Sequence, residues 1–503
     1  MVCILQHVPL KQRLSRCALV CRAWAAEAAT MPGDVDLNVM GGRGMQLQDW
    51  LGKHGGLVER LTADAWEWGI PSPRKRPLLQ LHVPKFTQLR SLDLSNIKAQ
   101  LAEQLGVSTR GSLRKRQGSL LTGPSSNAAG SSSGSGSATR SIGSSNETAA
   151  VLPQLQELQL YQCHLTVQLV TQLLRTTTLT QLRWDSVQLS NDDWTEPVSL
   201  QLWPRSALWQ HLQLLPKLST LQLGGNLRAA DVSPISSLQH LQRLAAVLPY
   251  HSTTAAVAAA TPAGLTSLDL KIDARGGKDP DPAAPTEIRL SGLSHLHCFR
   301  GALVRMQPST LGGVTGLQEL SLEEPCHPDG LRWRPRELLA MLQHLTQLRH
   351  LEVQSCRLFS IELTSGYQCF SALTASTQLT ALILAEWSHW HWGTGPVPQA
   401  AFSHMFPPER VLPHLKTLSL RGCMYSPVEN CKPCVEAAQV AMIAARCPAL
   451  QELELEGVTD WDFDCSCLLQ LPLGVKKVDG LGWPGPWSRP NNGADAKLGS
   501  GSV

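Results

Sequence analysis

Leucines recur along this chain at fixed positions, in the pattern Leu-x-x-Leu-x-Leu-x-x-Cys/Asn-x-Leu. Complete copies begin at Leu155 and Leu348, and shorter ones begin at Leu218 and Leu415. Roughly a dozen copies in one chain indicate a structural repeat rather than chance. The remaining starts that this pattern predicts are Leu89, Leu179, Leu265, Leu293, Leu317, Leu379 and Leu450, with weaker copies at Val58, Leu241 and Val475.

The spacing predicts a short strand in each repeat, because alternate residues of a strand point to the same side. The Cys or Asn position falls where the chain leaves the strand, and its side chain can satisfy backbone groups of the turn. One repeat cannot bury its apolar side alone, so neighbouring repeats must stack into a solenoid with a parallel sheet. Two Ala/Leu-rich stretches, 336–344 and 435–446, are predicted to be helices on the outer side.

These repeats resemble the leucine-rich repeat family, and the Cys variant resembles the cysteine-containing subtype of intracellular F-box proteins. The resemblance implies an α/β horseshoe with a concave parallel sheet and convex helices or loops. The intervals are uneven, with 24 residues from Leu155 to Leu179 but 36 from Leu379 to Leu415. We therefore expect a ribonuclease-inhibitor-like array of mixed repeat lengths, as in irregular green-algal or plant-like members.

The N-terminal stretch 4–27 reads ILQHVPLKQRLSRCALVCRAWAAE and places apolar residues at helical spacing around a Val-Pro break. It resembles the latter part of an F-box, and its VCRxW string is the most specific part of that match. An F-box binds a Skp-type adaptor and so joins a cullin-RING (SCF) ubiquitin ligase. The alternative is a helical cap for the first repeat. The resemblance assigns adaptor binding to Ile4, Leu5, Val8, Pro9, Leu14, Leu19 and Trp24.

Composition divides the chain into three parts. We predict an incomplete F-box-like segment at 1–30, repeats over 31–487 and a Gly/Asn/Ser-rich disordered tail at 488–503. A Ser/Gly-rich stretch at 106–150 is expected to be a disordered insertion, because it has too little apolar surface to offset chain entropy. Either it is a regulatory loop whose serines accept phosphate, or it is a tolerated insertion.

Charge and cysteine content narrow the function. The net charge of +4 is too small to imply binding to nucleic acid or to an anionic membrane. The 14 cysteines are scattered, and several fill the repeat's own Cys slot, so a disulfide framework is not expected. No leader peptide or membrane-spanning run is recognisable in the sequence. We therefore expect a cytoplasmic or nuclear protein, or alternatively one of the cytoskeleton or ciliary axoneme.

If the repeats form the expected sheet, its polar positions are the candidate surface for an unknown protein partner. The charged residues alternate in blocks that can orient a protein ligand, although a solvated strand face has the same composition. The candidate residues on this concave face are Glu157, Arg183, Asp185, His297, Glu323, Arg349, His350, Glu352, Lys416, Arg421, Glu454 and Glu456.

Candidate chemistry is sparse. Cys431 and Cys434 form a Cys-x-x-Cys pair, and together with Cys465 and Cys467 they are the candidate ligands for a zinc ion. We nevertheless expect no bound metal. The Trp-rich stretch 387–392 is either a partner-binding hot spot or loop packing. No phosphate loop, nucleophile elbow or catalytic carboxylate pair is recognisable, so neither enzymatic activity nor a cofactor is expected.

The interpretation that accounts for most of these features is a substrate-recognition subunit of an SCF-type ubiquitin ligase. The main alternative is a non-catalytic leucine-rich repeat scaffold, cytoskeletal or axonemal, that does not bind the adaptor. A zinc- or thiol-dependent enzyme is a distant third.

Overall fold

The structure of the chain is a computed structural model. The residues that it describes exclude the predicted N-terminal segment, both predicted disordered stretches and the Cys431–Cys434 pair. The described residues are 33–38, 51–64, 78–81, 83–101, 152–190, 212–225, 227, 232–248, 251–272, 288–290, 292–302, 310–311, 313–323, 335–354, 367–385, 399–421, 435, 437–456 and 465–479.

Nineteen strands form two parallel sheets in the described part of the chain. A small sheet contains β3 (Leu78–Leu81), β5 (Lys98–Leu101), β7 (His164–Thr166) and β9 (Gln188–Ser190). The fifteen strands of the main sheet follow chain order: β1 (Gly33–Asn38), β2 (Val58–Asp64), β4 (Ser91–Ser95), β6 (Glu157–Tyr161), β8 (Gln181–Asp185), β10 (Thr220–Gly224), β11 (Arg243–Leu248), β12 (Ser267–Ile272), β13 (Cys298–Ala302), β14 (Glu319–Glu323), β15 (His350–Gln354), β16 (Ala381–Ala385), β17 (Thr417–Arg421), β18 (Glu452–Glu456) and β19 (Lys477–Asp479).

Helices fill some of the connections between strands. They are α1 (Val167–Leu174), α2 (His251–Ala259), α3 (Pro335–Leu342), α4 (Gln399–Met405) and α5 (Ala437–Arg446). Short 3-10 segments are Gly55–Leu57, Val83–Lys85, Ser233–Ser237, Tyr367–Thr374 and Cys465–Gln470. The two predicted helices are thus confirmed as α3 and α5, with ends that differ by at most two residues.

The chain packs as two compact units. The first comprises residues 1–158, 162–178 and 188–202, and it contains the small sheet and α1. Helix α1 begins after Thr166, whose hydroxyl accepts a hydrogen bond from Leu169 N at 3.5 Å. Its apolar side buries Leu169, Val170 and Leu173. The second unit comprises 159–161, 179–187 and 203–503, and it contains β8 and β10 to β19.

Strand alternation builds the core. In β15, for example, Leu351 and Val353 are fully buried while Glu352 between them is half-buried. The same alternation recurs from strand to strand in register, so leucine lies beside leucine along the ladder. Burying each such side chain stabilises the fold by about 1.5–3 kcal/mol. A single repeat cannot bury these side chains without its neighbours. The fold is a leucine-rich repeat solenoid, as the spacing predicts.

A shared carbonyl sets the register from one repeat to the next. The residue immediately before each strand offers its backbone oxygen to two amides of the following repeat. Arg349 O accepts from Thr380 N at 2.7 Å and from Ala381 N at 3.0 Å. Lys416 O accepts from Gln451 N at 2.8 Å and from the next amide at 2.9 Å. This two-donor bond recurs at each step from β8 to β19 within the described residues.

One predicted repeat start is wrong by three residues. His297 O accepts from Gln318 N and Glu319 N, so His297 lies in the same place as Arg349. The repeat therefore begins at Leu296 rather than Leu293. Leu293 is instead the buried apolar residue of the preceding turn, whose carbonyl accepts a hydrogen bond from Leu296 N at 3.1 Å.

Strand β13 fills its two inward positions with one side chain. Phe299 and Gly301 occupy the places that two leucines hold in the neighbouring strand β14. Phe299 is fully buried, and a Cβ atom built at Gly301 would lie 2.6 Å from Phe299 Cζ. The ring therefore occupies the space that a second leucine would fill, which keeps the core packed despite the glycine.

Four consecutive repeats leave the strand through a left-handed residue. Asn96, Gln162 and Ser186 have φ of 58°, 48° and 53°, and Gly225 has φ of 88°. The turn is tight at Gly225, where an added Cβ would lie 3.1 Å from both the Cα and the N of Ser186. Glycine takes this conformation at no steric cost and asparagine tolerates it, whereas Gln162 and Ser186 are held there by their surroundings.

The Cys slot follows this turn directly. Cys163 is fully buried, and its thiol donates a hydrogen bond of 2.8 Å to Leu94 O in the preceding repeat. A cysteine here satisfies a backbone carbonyl that would otherwise be buried without this partner. The side chain thus satisfies a backbone group, but one in the strand of the preceding repeat rather than in the turn, where the sequence predicted it.

We predict that Gly225→Ala lowers the free energy of unfolding by about 1–3 kcal/mol, because it adds left-handed strain and a close contact. Gly316→Ala is the matched control, since an added Cβ there meets nothing within 4 Å. That control should change stability by less than about 1 kcal/mol. Urea unfolding monitored by circular dichroism measures both, and equal losses would contradict the role of the turn.

Phe299 and Gly301 should also be energetically coupled. Phe299→Leu alone leaves a cavity and should cost about 1–2 kcal/mol, and Gly301→Ala alone forces a clash of similar cost. The double variant should cost at least about 1 kcal/mol less than the two added together, because each change relieves the other. A double-mutant cycle in urea tests this, with Phe299→Leu plus Gly316→Ala as the additive control.

Candidate protein-binding face

One side of the main sheet carries the exposed and half-buried side chains, and we call it the polar face. Each strand presents about three residues there, one at each end and one between the two buried positions. The middle residues form a row across the sheet, because the strands pair in register. In the second unit this middle row is Arg183, Gln222, Ala245, Asp269, Arg300, Ser321, Glu352, Ile383, Ser419, Glu454 and Asp479.

The sequence-predicted face residues occupy two kinds of position. Three of them, His297, Arg349 and Lys416, lie one residue before a strand, where their carbonyls hold the next repeat and their side chains are exposed. The other nine lie within strands at polar-face positions: Glu157, Arg183, Asp185, Glu323, His350, Glu352, Arg421, Glu454 and Glu456.

Glu352 is held in one orientation by its neighbours. Ser321 Oγ donates to Glu352 Oε2 at 2.8 Å, and Gln354 Nε2 donates to Glu352 Oε1 at 2.6 Å. Burial by itself disfavours the charged carboxylate. The two hydrogen bonds and the positive charge of His350 and Arg300 together outweigh burial and lower the pKa of Glu352. This side chain is therefore an ionised, oriented acceptor on the face.

Asp269 has the opposite balance. Burial raises the pKa of its carboxyl group, and the nearby charges of Lys271 and Arg300 offset only part of that effect. Its Oδ1 atom is buried and has no hydrogen-bond partner. Asp269 and the exposed Arg300 face each other in register across β12 and β13. The sequence reading missed both, and for Arg300 the cause is the three-residue register error at Leu293.

Strands β17 and β18 form a second ordered group. Ser419 Oγ donates to Glu454 Oε2 at 2.7 Å, and Arg421 Nη2 forms an ion pair with the same oxygen at 3.0 Å. Thr417 Oγ1 donates to Glu452 Oε2 at 3.3 Å. Side chains of 46% and 28% exposure make the Arg421–Glu454 pair a surface ion pair, which is worth at most about 1 kcal/mol.

Arg183 extends the face toward the start of the second unit. Its guanidinium carbon lies 5.2 Å from the centre of the Tyr161 ring, in the range of a cation–π contact. The ring thus fixes the direction of the Arg183 side chain, while its charge stays on the polar face.

The candidate metal site gains no support within the described residues. No group of three or more His, Cys, Asp or Glu side chains there is arranged to hold a metal ion. Cys467 is buried in the last repeat, and burial raises the pKa of Cys447 to about 12, which keeps that thiol protonated. The partners Cys431 and Cys434, the Trp-rich stretch 387–392 and the predicted adaptor-binding residues lie outside the described residues.

Two solved structures show a distant likeness to this chain. No family model and no curated protein matches this chain. An internalin from Listeria monocytogenes is 17% identical with a TM-score of 0.27, over 55% of this chain and 77% of that one. A leucine-rich repeat protein from Leptospira interrogans is 15% identical with a TM-score of 0.34, over 85% and 91%.

This chain has the fold of a leucine-rich repeat solenoid. Its own repeats and their parallel ladder decide the assignment, and residue roles come from its own geometry. Among the described helices, none combines the length and apolar character needed to cross a membrane.

The Asp269 carboxyl group should make stability depend on pH. Folding raises the pKa of this carboxyl group, so the folded state holds the proton more tightly than the unfolded state does. The stability of the folded chain therefore falls as the pH rises above 3.8, the ordinary pKa of an aspartate. Asp269→Asn should therefore raise the melting temperature at pH 7, by on the order of 1 °C, with the gain shrinking toward pH 4.

Thermal unfolding followed by circular dichroism at several pH values measures this difference. Glu323→Gln, an exposed carboxylate on the same face, is the control and should change the melting temperature little at any pH. A loss of stability in Asp269→Asn at pH 7 would show that the carboxylate stabilises the folded chain instead.

Proposed function

We propose that this chain is the substrate-recognition subunit of an SCF-type cullin-RING ubiquitin ligase, and that its protein substrate binds the polar face. The observation that carries the binding role is the ordered row of charged side chains across the main sheet, including Glu352 and Glu454 with their hydrogen-bond donors. Backbone ladders beneath them hold these groups at fixed spacing, which favours recognition of a folded or extended protein surface.

The size of the face fits a protein partner. From β8 to β19 the second unit has eleven strands in register, and strands lie about 4.8 Å apart. With strands of about five residues, this face measures roughly 48 by 16 Å, or close to the ~800 Å² that one partner contributes to a standard interface. A small metabolite would use only a fraction of it.

The ligase role rests on the N-terminal resemblance. Residues such as Val8, Pro9 and Trp24 match the part of an F-box that contacts a Skp-type adaptor. Proline suits the first turn of a helix, because its missing N–H has no partner there in any case. An adaptor-binding segment followed directly by a protein-binding repeat array is the arrangement that a substrate receptor requires.

The second candidate is a non-catalytic scaffold that uses the same face without adaptor binding, for example in the cytoskeleton or an axoneme. Irregular repeats with Ser/Gly-rich insertions favour it. Both candidates share the binding face and differ only at the N-terminal segment.

Co-purification with a Skp-type adaptor separates the two candidates. The native chain should form a stoichiometric complex, and a Val8→Glu/Trp24→Ala double variant should lose it by at least tenfold, since a buried charge and a lost aromatic anchor each weaken such an interface. Val411→Glu, at a valine that is 45% exposed in the repeats, is the matched control and should keep the complex.

Circular dichroism of each variant confirms that the repeats stay folded. A folded native chain that does not bind the adaptor would contradict the ligase role and leave the scaffold role. Retention of the adaptor by the double variant would show that the contact lies elsewhere than in the F-box-like segment.

A further inference from the structure

We infer that strands β14 to β18 of the polar face bind an extended, positively charged segment of the partner, with an apolar side chain between two basic ones. This inference deepens the proposed protein-binding role by naming the chemistry of the partner. It rests on that role only in assuming that the polar face is where a partner docks.

Negative charge dominates this part of the face. Among its described side chains, five carboxylates stand against two basic side chains, Arg421 and His350. The basic residues Arg349 and Lys416 lie before the strands and so outside these rows. The carboxylates are Glu319, Glu323, Glu352, Glu452 and Glu454.

The two carboxylates of the middle row are prepared to accept hydrogen bonds from a ligand. Glu352 is oriented by Ser321 and Gln354, and Glu454 is oriented by Ser419. Both are half-buried, so a cation that binds them is partly removed from water, which strengthens the attraction. Each oxygen can accept more than one hydrogen bond, and a guanidinium supplies paired donors.

An apolar strip separates these carboxylates. Strand β16 has no polar side chain at its three polar-face positions, where Ala381 and Ile383 are half-buried and Ala385 is buried. Ile383 pairs with Glu352 on one side and with Ser419 on the other. A leucine or similar side chain of a ligand would therefore rest on Ile383, while charged groups on either side reach Glu352 and Glu454.

The spacing selects the ligand. Glu352 and Glu454 are separated by three strand intervals, or about 14 Å. In an extended peptide that crosses the strands, residues i and i+4 lie about 13–14 Å apart on the same side, with residue i+2 between them. The matching pattern is Arg-x-Leu-x-Arg, whereas a basic pair two residues apart spans only half the distance.

The test uses the full chain and the synthetic nonapeptide GSRSLSRSG, with binding measured by isothermal titration calorimetry at low salt. This probe should bind at least about tenfold more tightly than GSESLSESG, because the acidic peptide is repelled. It should also bind more tightly than GSRLRSSSG, in which the two arginines are too close. Replacing leucine by serine in the probe should weaken binding by severalfold.

Variants of the chain locate the site. Glu352→Gln and Glu454→Gln should each lower the affinity for the peptide GSRSLSRSG by about fivefold to tenfold. Arg421→Gln should instead tighten binding by about twofold, since it removes the cation that competes for Glu454. Ile383→Ser should abolish the preference for the leucine probe over its serine version. Glu59→Gln, in the first unit, is the control and should bind as the native chain does.

Three outcomes would overturn the inference: no measurable binding of the arginine probe at millimolar concentration, equal binding of the acidic probe, or affinity that Glu352→Gln and Glu454→Gln leave unchanged. The adaptor assay is independent of all three. An adaptor complex together with a failed peptide test would reject the basic ligand alone, whereas specific peptide binding without an adaptor complex would reject the ligase role alone.

Discussion

From β8 to β19 the array depends on one backbone arrangement, in which a single carbonyl before the strand accepts two amides of the next repeat. Arg349, Lys416 and His297 all have this role, despite having unrelated side chains. Because the bond belongs to the backbone, it places the next strand in register without dictating the residue that makes it. The side chains at this position are therefore free to vary, and so are the lengths of the connections that follow.

The fold was predictable because the apolar spacing and the ladder point to the same register. The prediction failed at one repeat for a physical reason. The turn before each strand also buries an apolar residue three positions before the repeat start, as Leu345 does before Leu348. Leu293 and Leu296 are both leucines three residues apart, so either could be the repeat start. The usual pair of strand leucines is also missing here, because Phe299 and Gly301 take their places. A glycine two residues after a phenylalanine leaves room for the ring, and this signal identifies Leu296 as the repeat start.

The candidate face was predictable in outline but less so in detail. Charged residues between two buried apolar residues, such as Glu352 and Glu454, follow from alternation alone. Their hydrogen bonds with Ser321 and Ser419 depend on cross-strand register between segments 31 and 35 residues apart, which local spacing does not supply. The apolar strip at Ile383 was missed for another reason: half-buried alanine and isoleucine at polar positions look like core until the sheet has been built.

Electrostatics gives the face a direction that the small net charge of the whole chain conceals. Basic residues such as Arg349 and Lys416 lie before the strands, while the carboxylates of β14, β15 and β18 lie within them. Two exposed basic side chains thus precede the strands while the carboxylates lie within them, so a partner with matching charges would be oriented as well as attracted. Asp269 also favours a bound partner. Its buried carboxyl oxygen has no hydrogen-bond donor, which lowers the stability of the free chain, and a donor supplied by a partner would restore that stability.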